Sequence, residues 1–391
     1  MSQRLFTPRF FIMCAYSFTV FTSVFQLLPT APYRVLDLGG GTTAAGLFLG
    51  FLTYSSALSA PFTGSIGDRI GQRRVLITVS LVLSLFTASY AFITDHRLLL
   101  GVVIVHGLFW SGLLSASGAY MTSTLPASRR AEGLGYWGLS SVLAIGAAPV
   151  IGFWVYTHGW IALCVEITAL NLLMAVIAWR LPDDHHGAHG RDEIAGGPIE
   201  HTPAHHIEWR VLLLSVGLAL ISFGYGSLTS FSALYADWLH VTPRSLFLSA
   251  MAVSMLCARL IFGRSLDRIG HRRVLTRCVL LPPVGLVLLA LANGPVMFAV
   301  AAIIFGVGFG LMHPAFTAYM IAHVSFVRRG AAFGAMIAAF DTGIGTGSSA
   351  MGWLVHHMGY RPAFGLTAAI AALSLPSFLF FESRLGFKRD Q

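Results

Sequence analysis

Five ionisable side chains stand inside long apolar stretches of the 391-residue sequence: Asp341, Glu166, His106, His313 and Arg259. A charge at the centre of a bilayer costs about 3 kcal/mol on insertion scales, so each of them needs a function or a structural partner. Carboxyl and imidazole groups take up and release protons, so the four acidic and histidine residues are our candidates for proton coupling.

Each candidate also has a structural alternative. Asp341, in the segment AAFDTGIGTGSS, either reaches a cavity or pairs with Arg259 or with a repeated charged motif described below. Arg259 either binds an anionic substrate or extends its guanidinium toward the membrane surface. His106 and His313 are either protonation sites or hydrogen-bonded core histidines.

The elements that must position these residues follow from the composition. Charged residues make up 10% of the chain, against about 25% in soluble domains, and the mean hydropathy is +0.73. This composition excludes an ordinary soluble protein and predicts an integral membrane protein. The net charge of +9 comes from short arginine clusters between apolar stretches, which indicates membrane topology rather than nucleic-acid binding.

Stretches of about 20 apolar residues, the length that crosses a bilayer core, occur twelve times and predict an all-α membrane protein. The predicted spans are residues 8–30, 42–63, 75–94, 98–121, 131–156, 160–181, 209–236, 245–262, 274–293, 296–321, 331–356 and 360–381. If both termini are cytoplasmic, twenty of the 25 lysine and arginine residues face the cytoplasm, and only Arg34, Arg97, Arg244 and Arg361 face the other side. This asymmetry predicts a bacterial-type inner-membrane protein with both termini inside.

Residues 183–208 are polar, rich in glycine and proline, and contain six of the fifteen histidines. We interpret them as a flexible cytoplasmic linker between a six-helix bundle at residues 1–182 and another at residues 209–391. The histidines show no spacing that completes a tetrahedral metal site, and the four separated cysteines form no CxxC pair, so we predict no metal and no cofactor.

A charged motif occurs twice. The first copy, GSIGDRIGQRR at residues 64–74, and the second copy, GRSLDRIGHRR at residues 263–273, are 199 positions apart. The same offset relates other pairs, including Gly107 with Gly306 and Trp154 with Trp353. The chain is therefore predicted to consist of two similar halves.

The first copy, continued as GSIGDRIGQRRVL, resembles the loop signature of the major facilitator superfamily, roughly GxLaDRxGRRxxL. The resemblance implies twelve transmembrane helices in two pseudo-symmetric six-helix bundles. It also implies a conformational latch, and the matching residues are Gly64, Asp68, Arg69, Gly71 and Arg73, with Gly263, Asp267, Arg268, Gly270 and Arg272 in the second copy. We expect Gly64 and Gly71 to permit a tight turn between helix ends.

The fifth span, GYWGLSSVLAIGAAPVIGFW, resembles the fifth-helix motif of the drug:proton antiporter branch at Gly135, Pro149 and Gly152. The branch motif implies an exporter, and small-residue helix packing is the alternative. The fourth span, VVIVHGLFWSGLLSASG, lacks the arginine that this branch associates with proton coupling. Its only ionisable group is His106, so coupling must use other residues or be absent.

In this superfamily, spans one, four, seven and ten line the central cavity, and the third helix of each triplet lies at the periphery, which favours a structural role for Glu166. Our substrate-cavity candidates are Tyr16, Phe25, Gln26, Trp110, Tyr225, Phe231, His313, Phe316 and Tyr319. Aromatic faces with few charges suit an amphipathic or weakly charged organic compound, although each aromatic also fits ordinary helix packing.

These observations predict a secondary transporter that exports a small organic compound by alternating access, coupled to protons. A facilitator or importer of a metabolite is the alternative within transport, and a membrane sensor on a transporter scaffold is the alternative outside it. The chain has no GxxxxGK[ST] loop, which argues against ATP-driven pumping. We expect no enzymatic activity and a monomer in the lipid bilayer.

Overall fold

A computed structural model describes residues 5–126, 129–182, 209–324 and 329–385, and this part of the chain is helical with no strand. Three helices contain a short break, so fifteen helical segments form twelve helices. They are α1 (Pro8–Asp37), α2 (Thr42–Ile70), α3 (Gln72–Tyr90), α4 (His96–Thr124), α5 (Arg130–Tyr156), α6 (Trp160–Trp179), α7 (Trp209–Leu214 and Val216–Trp238), α8 (Leu246–Ile269), α9 (His271–Cys278 and Leu281–Ala290), α10 (Pro295–His323), α11 (Arg329–Met358) and α12 (Tyr360–Ala372 and Ser374–Arg384).

Ten helices in the described ranges are long and apolar enough to cross a bilayer. The other two are α8, with a shorter apolar stretch at Leu246–Phe262, and α11, which is 30 residues long. The prediction of an all-helical membrane fold with two six-helix bundles is confirmed. The predicted linker at residues 183–208 lies outside the described residues, so the division into 1–182 and 209–391 stays a prediction.

Several helices are longer than the apolar stretches that predicted them. Helix α1 begins after the N-cap Thr7, whose Oγ1 accepts from the Phe10 amide at 3.3 Å, and it continues through Pro29 and Pro32 to Asp37. Proline is tolerated inside membrane helices because neighbouring groups satisfy the backbone carbonyls that it frees. The predicted end of this span at residue 30 was therefore about two turns too early.

The two motif copies form the same turn. Gly71 joins α2 to α3 with φ of 94°, and Gly270 joins α8 to α9 with φ of 92°. Glycine adopts this region without a Cβ penalty, so one residue suffices to reverse the chain. The expectation that Gly64 also belongs to the turn was wrong, because α2 continues to Ile70 and Gly64 lies inside the helix.

Helix packing repeats between the halves as well. A Cβ atom on Gly107 of α4 would lie 2.0 Å from Ser55 Oγ and 2.3 Å from the Leu52 carbonyl oxygen. A Cβ atom on Gly306 of α10 would lie 2.0 Å from Ser254 Oγ and 2.4 Å from the Met251 carbonyl oxygen. All three members of the first set are related to the second by the 199-residue offset, so the duplication extends to backbone contacts.

The halves contact each other chiefly through three helix pairs, α2 with α11, α5 with α8, and α1 with α7. We name the end of the molecule that carries Gly71 and Gly270 the motif end, and the opposite end the far end. Toward the far end, Ser348 Oγ of α11 donates to the Gly46 carbonyl of α2 at 2.8 Å. A Cβ atom on Gly352 would lie 2.5 Å from the Thr42 carbonyl oxygen, so small residues allow the two backbones to touch.

Candidate transport site

Asp341 lies in α11, near the place where the seam with α2 begins. Gly345, four residues further toward the far end, packs against α2, since a Cβ atom there would lie 2.5 Å from Thr53 Oγ1. Residues four apart share a helix face, so Asp341 is on the seam side of α11, about 6 Å closer to the motif end. Its side chain is half-buried, and no hydrogen bond or ion pair joins it to another residue within the described ranges.

A row of rings joins α7, α10 and α11 in the C-terminal half. Tyr225 stacks on Phe309 with centroids 4.5 Å apart and planes within 8° of parallel. Phe309 contacts Phe340 at 6.1 Å, and Phe340 meets the His313 ring edge-on at 5.2 Å. We name Tyr225, Phe309, Phe340 and His313 the aromatic row. Phe340 precedes Asp341 in α11, so the row reaches α11 at the level of the carboxylate.

Arg259, the proposed structural partner of Asp341, bonds elsewhere. Its Nε donates to the Gly310 carbonyl of α10 at 3.0 Å, and the side chain is half-buried. Gly310 is one helical turn from His313, which brings this guanidinium close to the aromatic row. The described residues show no Arg259–Asp341 ion pair.

The interior of the N-terminal half contains a polar network that joins α1, α3 and α6. Gln26 Nε2 donates to Glu166 Oε1 at 3.0 Å, which gives Glu166 a partner on α1. One turn away, Ser23 Oγ donates to Asn171 Oδ1 at 2.7 Å, and Asn171 Nδ2 donates to Thr87 Oγ1 at 3.2 Å. Sequence reasoning missed Asn171 and Thr87, although a lone asparagine within an apolar span is itself a signal of interior packing.

His106 of α4 extends the polar interior toward the far end. Its Nδ1 lies 2.8 Å from the Tyr90 hydroxyl, and its ring stacks on Phe86 with centroids 5.6 Å apart. The side chain is only 3% exposed. This geometry matches the hydrogen-bonded core alternative, with both faces of the imidazole covered.

Polar contacts between the halves close the far end. The Tyr33 hydroxyl of α1 donates to Asp237 Oδ2 of α7 at 2.9 Å, and Arg244 Nε donates to Asp237 Oδ1 at 2.8 Å. The Arg244 guanidinium also lies over the Tyr33 ring at 5.0 Å. Burial is the largest single influence on Arg244 and lowers its pKa, but the hydrogen bond to Asp237 and the electrostatic attraction of Tyr33, Asp237 and Tyr156 together outweigh burial, so the pKa of Arg244 is raised. We name Tyr33, Asp237 and Arg244 the far-end clasp, which sequence reasoning did not find.

Comparisons with known proteins agree with this architecture. The family profile of the Major Facilitator Superfamily matches residues 10–258 and 214–389. The chain belongs to the major facilitator superfamily. An uncharacterised MFS-type transporter of Pseudomonas aeruginosa (strain UCBPP-PA14) is 29% identical over 385 residues, covering 92% of this chain and 90% of the relative. Another from Burkholderia mallei (strain SAVP1) is 26% identical over 379 residues, covering 90% and 88%.

Two solved structures are similar in fold. The nucleoside transporter NupG has a TM-score of 0.75 at 14% identity, with 98% of this chain and 100% of that chain covered. The human organic anion transporter MFSD10 (TETRAN) has a TM-score of 0.69 at 15% identity, with 95% and 100% covered. At these identities the likeness concerns the fold alone.

In this superfamily member, an arginine of each motif copy bonds to a neighbouring helix. Arg272 of the second copy forms a two-point ion pair with Glu382 of α12, Nε to Oε1 at 2.7 Å and Nη2 to Oε2 at 2.8 Å. The Tyr319 hydroxyl donates to the same Oε1 at 2.7 Å. Arg73 of the first copy donates to the Trp179 carbonyl of α6 at 2.6 Å. The side chains of Asp68, Asp267 and Arg268 lie outside the described residues, so the latch role stays a prediction.

Several predicted cavity residues of this transporter pack inside their own half. The hydroxyl of Tyr16, fully buried, lies 3.0 Å from Ser80 Oγ of α3. Tyr319 is held by Glu382, as described above, and Phe231 is fully buried. Phe316 packs against Phe378 of α12 at 6.4 Å. In this conformation these four side chains contact protein rather than an open cavity.

The remaining candidates are divided between the halves. Trp110 and Phe25 both contact Phe21, at 6.2 Å and 6.1 Å. Gln26 belongs to the polar network, whereas Tyr225 and His313 belong to the aromatic row. The structure therefore brings two predicted cavity residues, Tyr225 and His313, into one row of rings in the C-terminal half, and this row ends at Phe340, next to Asp341 in sequence.

The fifth-helix motif acts through one of its glycines. A Cβ atom on Gly152 of α5 would lie 2.9 Å from Gln26 Cβ and 3.0 Å from Gln26 Cα, so glycine lets α1 and α5 touch. Pro149 lies inside α5, and nothing stands within 4 Å of a Cβ atom on Gly135. Nothing in the described structure explains the glycine at position 135.

Proposed function

We propose that this superfamily member is a secondary active transporter that exports a small organic compound in exchange for protons, with Asp341 as the proton-carrying residue. The observation that carries the proposal is the half-buried Asp341 carboxylate, which has no partner in the described ranges and lies where the α2–α11 seam begins. A carboxyl group at a moving interface changes its charge when it takes up a proton. That change links protonation to the free-energy difference between the two conformations of the seam.

The neighbouring aromatic row supports a substrate with an apolar or aromatic part. In this conformation Tyr225 and Phe309 are buried and stacked on each other, and the cation near the row, Arg259, is already bonded to a carbonyl. Such a site favours weakly charged, ring-containing compounds over strongly hydrated ions. The printed names of the similar solved structures, a nucleoside transporter and an organic anion transporter, belong to the same broad class of small organic substrates.

Direction and orientation complete the proposal. We place the motif end in the cytoplasm because of the arginine asymmetry, so the far-end clasp faces outward. Export is favoured by the partial fifth-helix motif, in which Gly152 makes a close contact with α1. The transporter is proposed to act as a monomer in the inner membrane, with bundles at residues 1–182 and 209–391 joined by residues 183–208.

The test uses purified full-length protein in proteoliposomes that contain a pH-sensitive dye. Uridine, ethidium and benzoate serve as neutral, cationic and anionic probes, chosen after a thermal-shift screen identifies which of them binds. We expect the bound probe to drive proton movement in the wild type and no proton movement in Asp341→Asn. Asp95→Asn is the matched control, because Asp95 is an exposed N-cap of α4 and asparagine caps a helix equally well.

The outcomes separate the competing functions. Probe flux without proton movement in the wild type would replace antiport by facilitated transport. Binding without flux would indicate a sensor on a transporter scaffold. Normal proton movement in Asp341→Asn would remove Asp341 from the mechanism.

A further inference from the structure

A long groove lies on the side of the molecule, between α5 of the N-terminal half and α8 and α10 of the C-terminal half. Its volume is about 950 Å³, at the upper end of the range for small-molecule sites. The lining includes Val150 and Trp154 of α5, Val253 and Ile261 of α8, and Ile303 of α10. None of these residues belongs to the aromatic row, and Asp341 does not line the groove.

The groove faces the bilayer with strongly exposed apolar side chains. Trp154 is 67% exposed, Val253 is 59% exposed and Ile261 is 66% exposed. Leaving such surface uncovered is unfavourable by about 25 cal/mol per Å² relative to an apolar environment. In a membrane the material available to cover it is the hydrocarbon of lipid acyl chains.

Polarity changes along the groove in one direction. The far end of the groove is lined by polar residues, Thr157, Arg244, Ser245 and Ser249. Toward the motif end the lining is mainly apolar and ends at Ile261 and Phe262. Ser249 Oγ is buried and has no hydrogen-bond partner in the described structure. From Ser249 to Ile261 the groove follows α8 for about 18 Å, close to the thickness of one leaflet of a 30 Å hydrocarbon core. Both the length and the polarity match a lipid whose head group is at the far end.

We propose that this groove binds one acyl chain of a membrane phospholipid from the far-end leaflet, with the phosphate head group beside Arg244 and Ser249. The Arg244 side chain is 42% exposed, so its guanidinium can contact an anion while it remains bonded to Asp237. The Ser249 hydroxyl gains the acceptor that it lacks in the protein. The bound lipid contacts α5 and α8 together, and these helices belong to different halves. A lipid bound in the groove therefore stabilises the conformation described here, in which α5 and α8 lie side by side, relative to conformations in which they separate.

The first test measures binding of palmitoyl-oleoyl phosphatidylglycerol to the detergent-purified full-length protein by native mass spectrometry. Val253→Trp places a large side chain in the groove and is expected to weaken binding about tenfold, because it displaces apolar lipid contacts. Leu260→Trp is the matched control, since Leu260 is a similarly exposed α8 residue, 63%, that does not line the groove. Equal binding to wild type and Val253→Trp, or equal losses in both tryptophan variants, would overturn the proposal.

A second test measures lipid occupancy of the groove in the wild-type protein. Cys257 lines the groove and is the exposed cysteine among the four, since Cys14 is half-buried and the other two are buried. Bound phosphatidylglycerol should slow the alkylation of Cys257 by N-ethylmaleimide, measured by peptide mass mapping, with Cys257→Ser identifying the labelled peptide. An unchanged alkylation rate at saturating lipid would refute occupancy of the groove even if Val253→Trp failed to fold.

A third comparison tests the position of the head group. Ser249→Ala is expected to weaken binding of phosphatidylglycerol several-fold and to weaken binding of palmitoyl-oleoyl glycerol less, because the two lipids have the same acyl chains and only the phospholipid offers an anionic phosphate acceptor near this hydroxyl. An equal loss for both lipids would show that Ser249 does not contact the phosphate, and the proposed orientation of the lipid would fail.

Discussion

The two halves of this transporter share a scaffold and differ in their interior chemistry. Gly71 and Gly270 form the same turn, and the contacts of Gly107 and Gly306 repeat to within 0.1 Å at equivalent atoms. The polar interior of the N-terminal half is not repeated. The offset of 199 residues relates Tyr90 to Leu289 and His106 to Phe305, so the hydrogen-bonded pair is replaced by two apolar side chains.

The acidic group of the C-terminal half likewise has no counterpart. The same offset relates Asp341 to Val142 and His313 to Leu114. In the N-terminal half, Glu166 and His106 each bond to a neighbouring side chain, whereas in the C-terminal half Asp341 has no partner in the described ranges. Paired groups stabilise a fixed arrangement, and an unpaired group is available for protonation. The duplication therefore preserved the helical frame of the two halves, whereas the proposed proton-carrying residue occurs in one half without a counterpart in the other.

The largest expected effect concerns the two acidic groups. Asp341→Asn should abolish substrate-driven proton movement, whereas Glu166→Gln should retain it, because Glu166 is bonded to Gln26 and glutamine preserves that contact. Proton flux in dye-loaded proteoliposomes is the measurement, with size-exclusion chromatography as the check of folding. Loss of flux in Glu166→Gln alone would reverse our assignment of roles to the halves.

The ion pair between Arg272 of the second motif copy and Glu382 gives the next largest effect. Glu382→Gln removes one partner of a two-point ion pair that is 5% exposed on the glutamate side, and breaking such a pair costs about 3 kcal/mol. Thermal unfolding in detergent measures this loss. Glu132→Gln is the control, because its ion pair with Arg129 is exposed and should contribute little. Similar melting temperatures for both variants would show that Glu382 is not a structural anchor.

Close helix packing in the N-terminal half predicts a smaller loss. Gly152→Ala places a Cβ atom about 3 Å from Gln26 and should destabilise the protein by about 1–3 kcal/mol through overpacking. Gly135→Ala, with open space at its Cβ position, should be neutral or stabilising by up to about 1 kcal/mol, because alanine is the better helix former. Thermal unfolding of the two variants in parallel decides whether Gly152 matters for packing.

The smallest expected effect concerns the far-end clasp. Asp237→Asn weakens the bonds of Asp237 to Tyr33 and Arg244. The Arg244 and Asp237 side chains are 42% and 35% exposed, so this ion pair contributes only about 0.2–1 kcal/mol, and its loss should shift the population modestly toward conformations open at this end. Hydrogen–deuterium exchange in the far-end part of α2 should then increase. Tyr33→Phe removes one neutral donor and should increase exchange less. Unchanged exchange in Asp237→Asn would exclude the clasp as a gate.

Local sequence patterns predicted the helices and their order well. Apolar stretches locate each membrane helix, and the repeated Gly71 and Gly270 mark two turns, because these features depend on residues adjacent in the chain. Boundaries were less accurate. The predicted boundaries follow the apolar stretches, because these mark the part of a helix that lies in lipid. The α1 backbone remains helical beyond its apolar stretch, through Pro32 to Asp37.

The candidate site was predicted only in part. Asp341 was identifiable because a carboxylate in an apolar span is rare, whereas Glu382 resembled an ordinary charge near the end of the last span. Its role depends on Arg272, which is 110 positions away in sequence. The far-end clasp was missed for the same reason, since Tyr33 and Asp237 lie 204 positions apart.

The sequence by itself determined that this protein spans a membrane, that it contains two related halves, and that few ionisable groups lie within the spans. These properties follow from the composition of each stretch of the chain and from the spacing of its motifs, which can be read without knowing how the helices pack. Only the tertiary structure decided which ionisable groups are paired, that Glu166 has a partner while Asp341 has none in the described ranges, and that α5 and α8 enclose a groove. Pairing and enclosure depend on distances between helices, which no local pattern specifies.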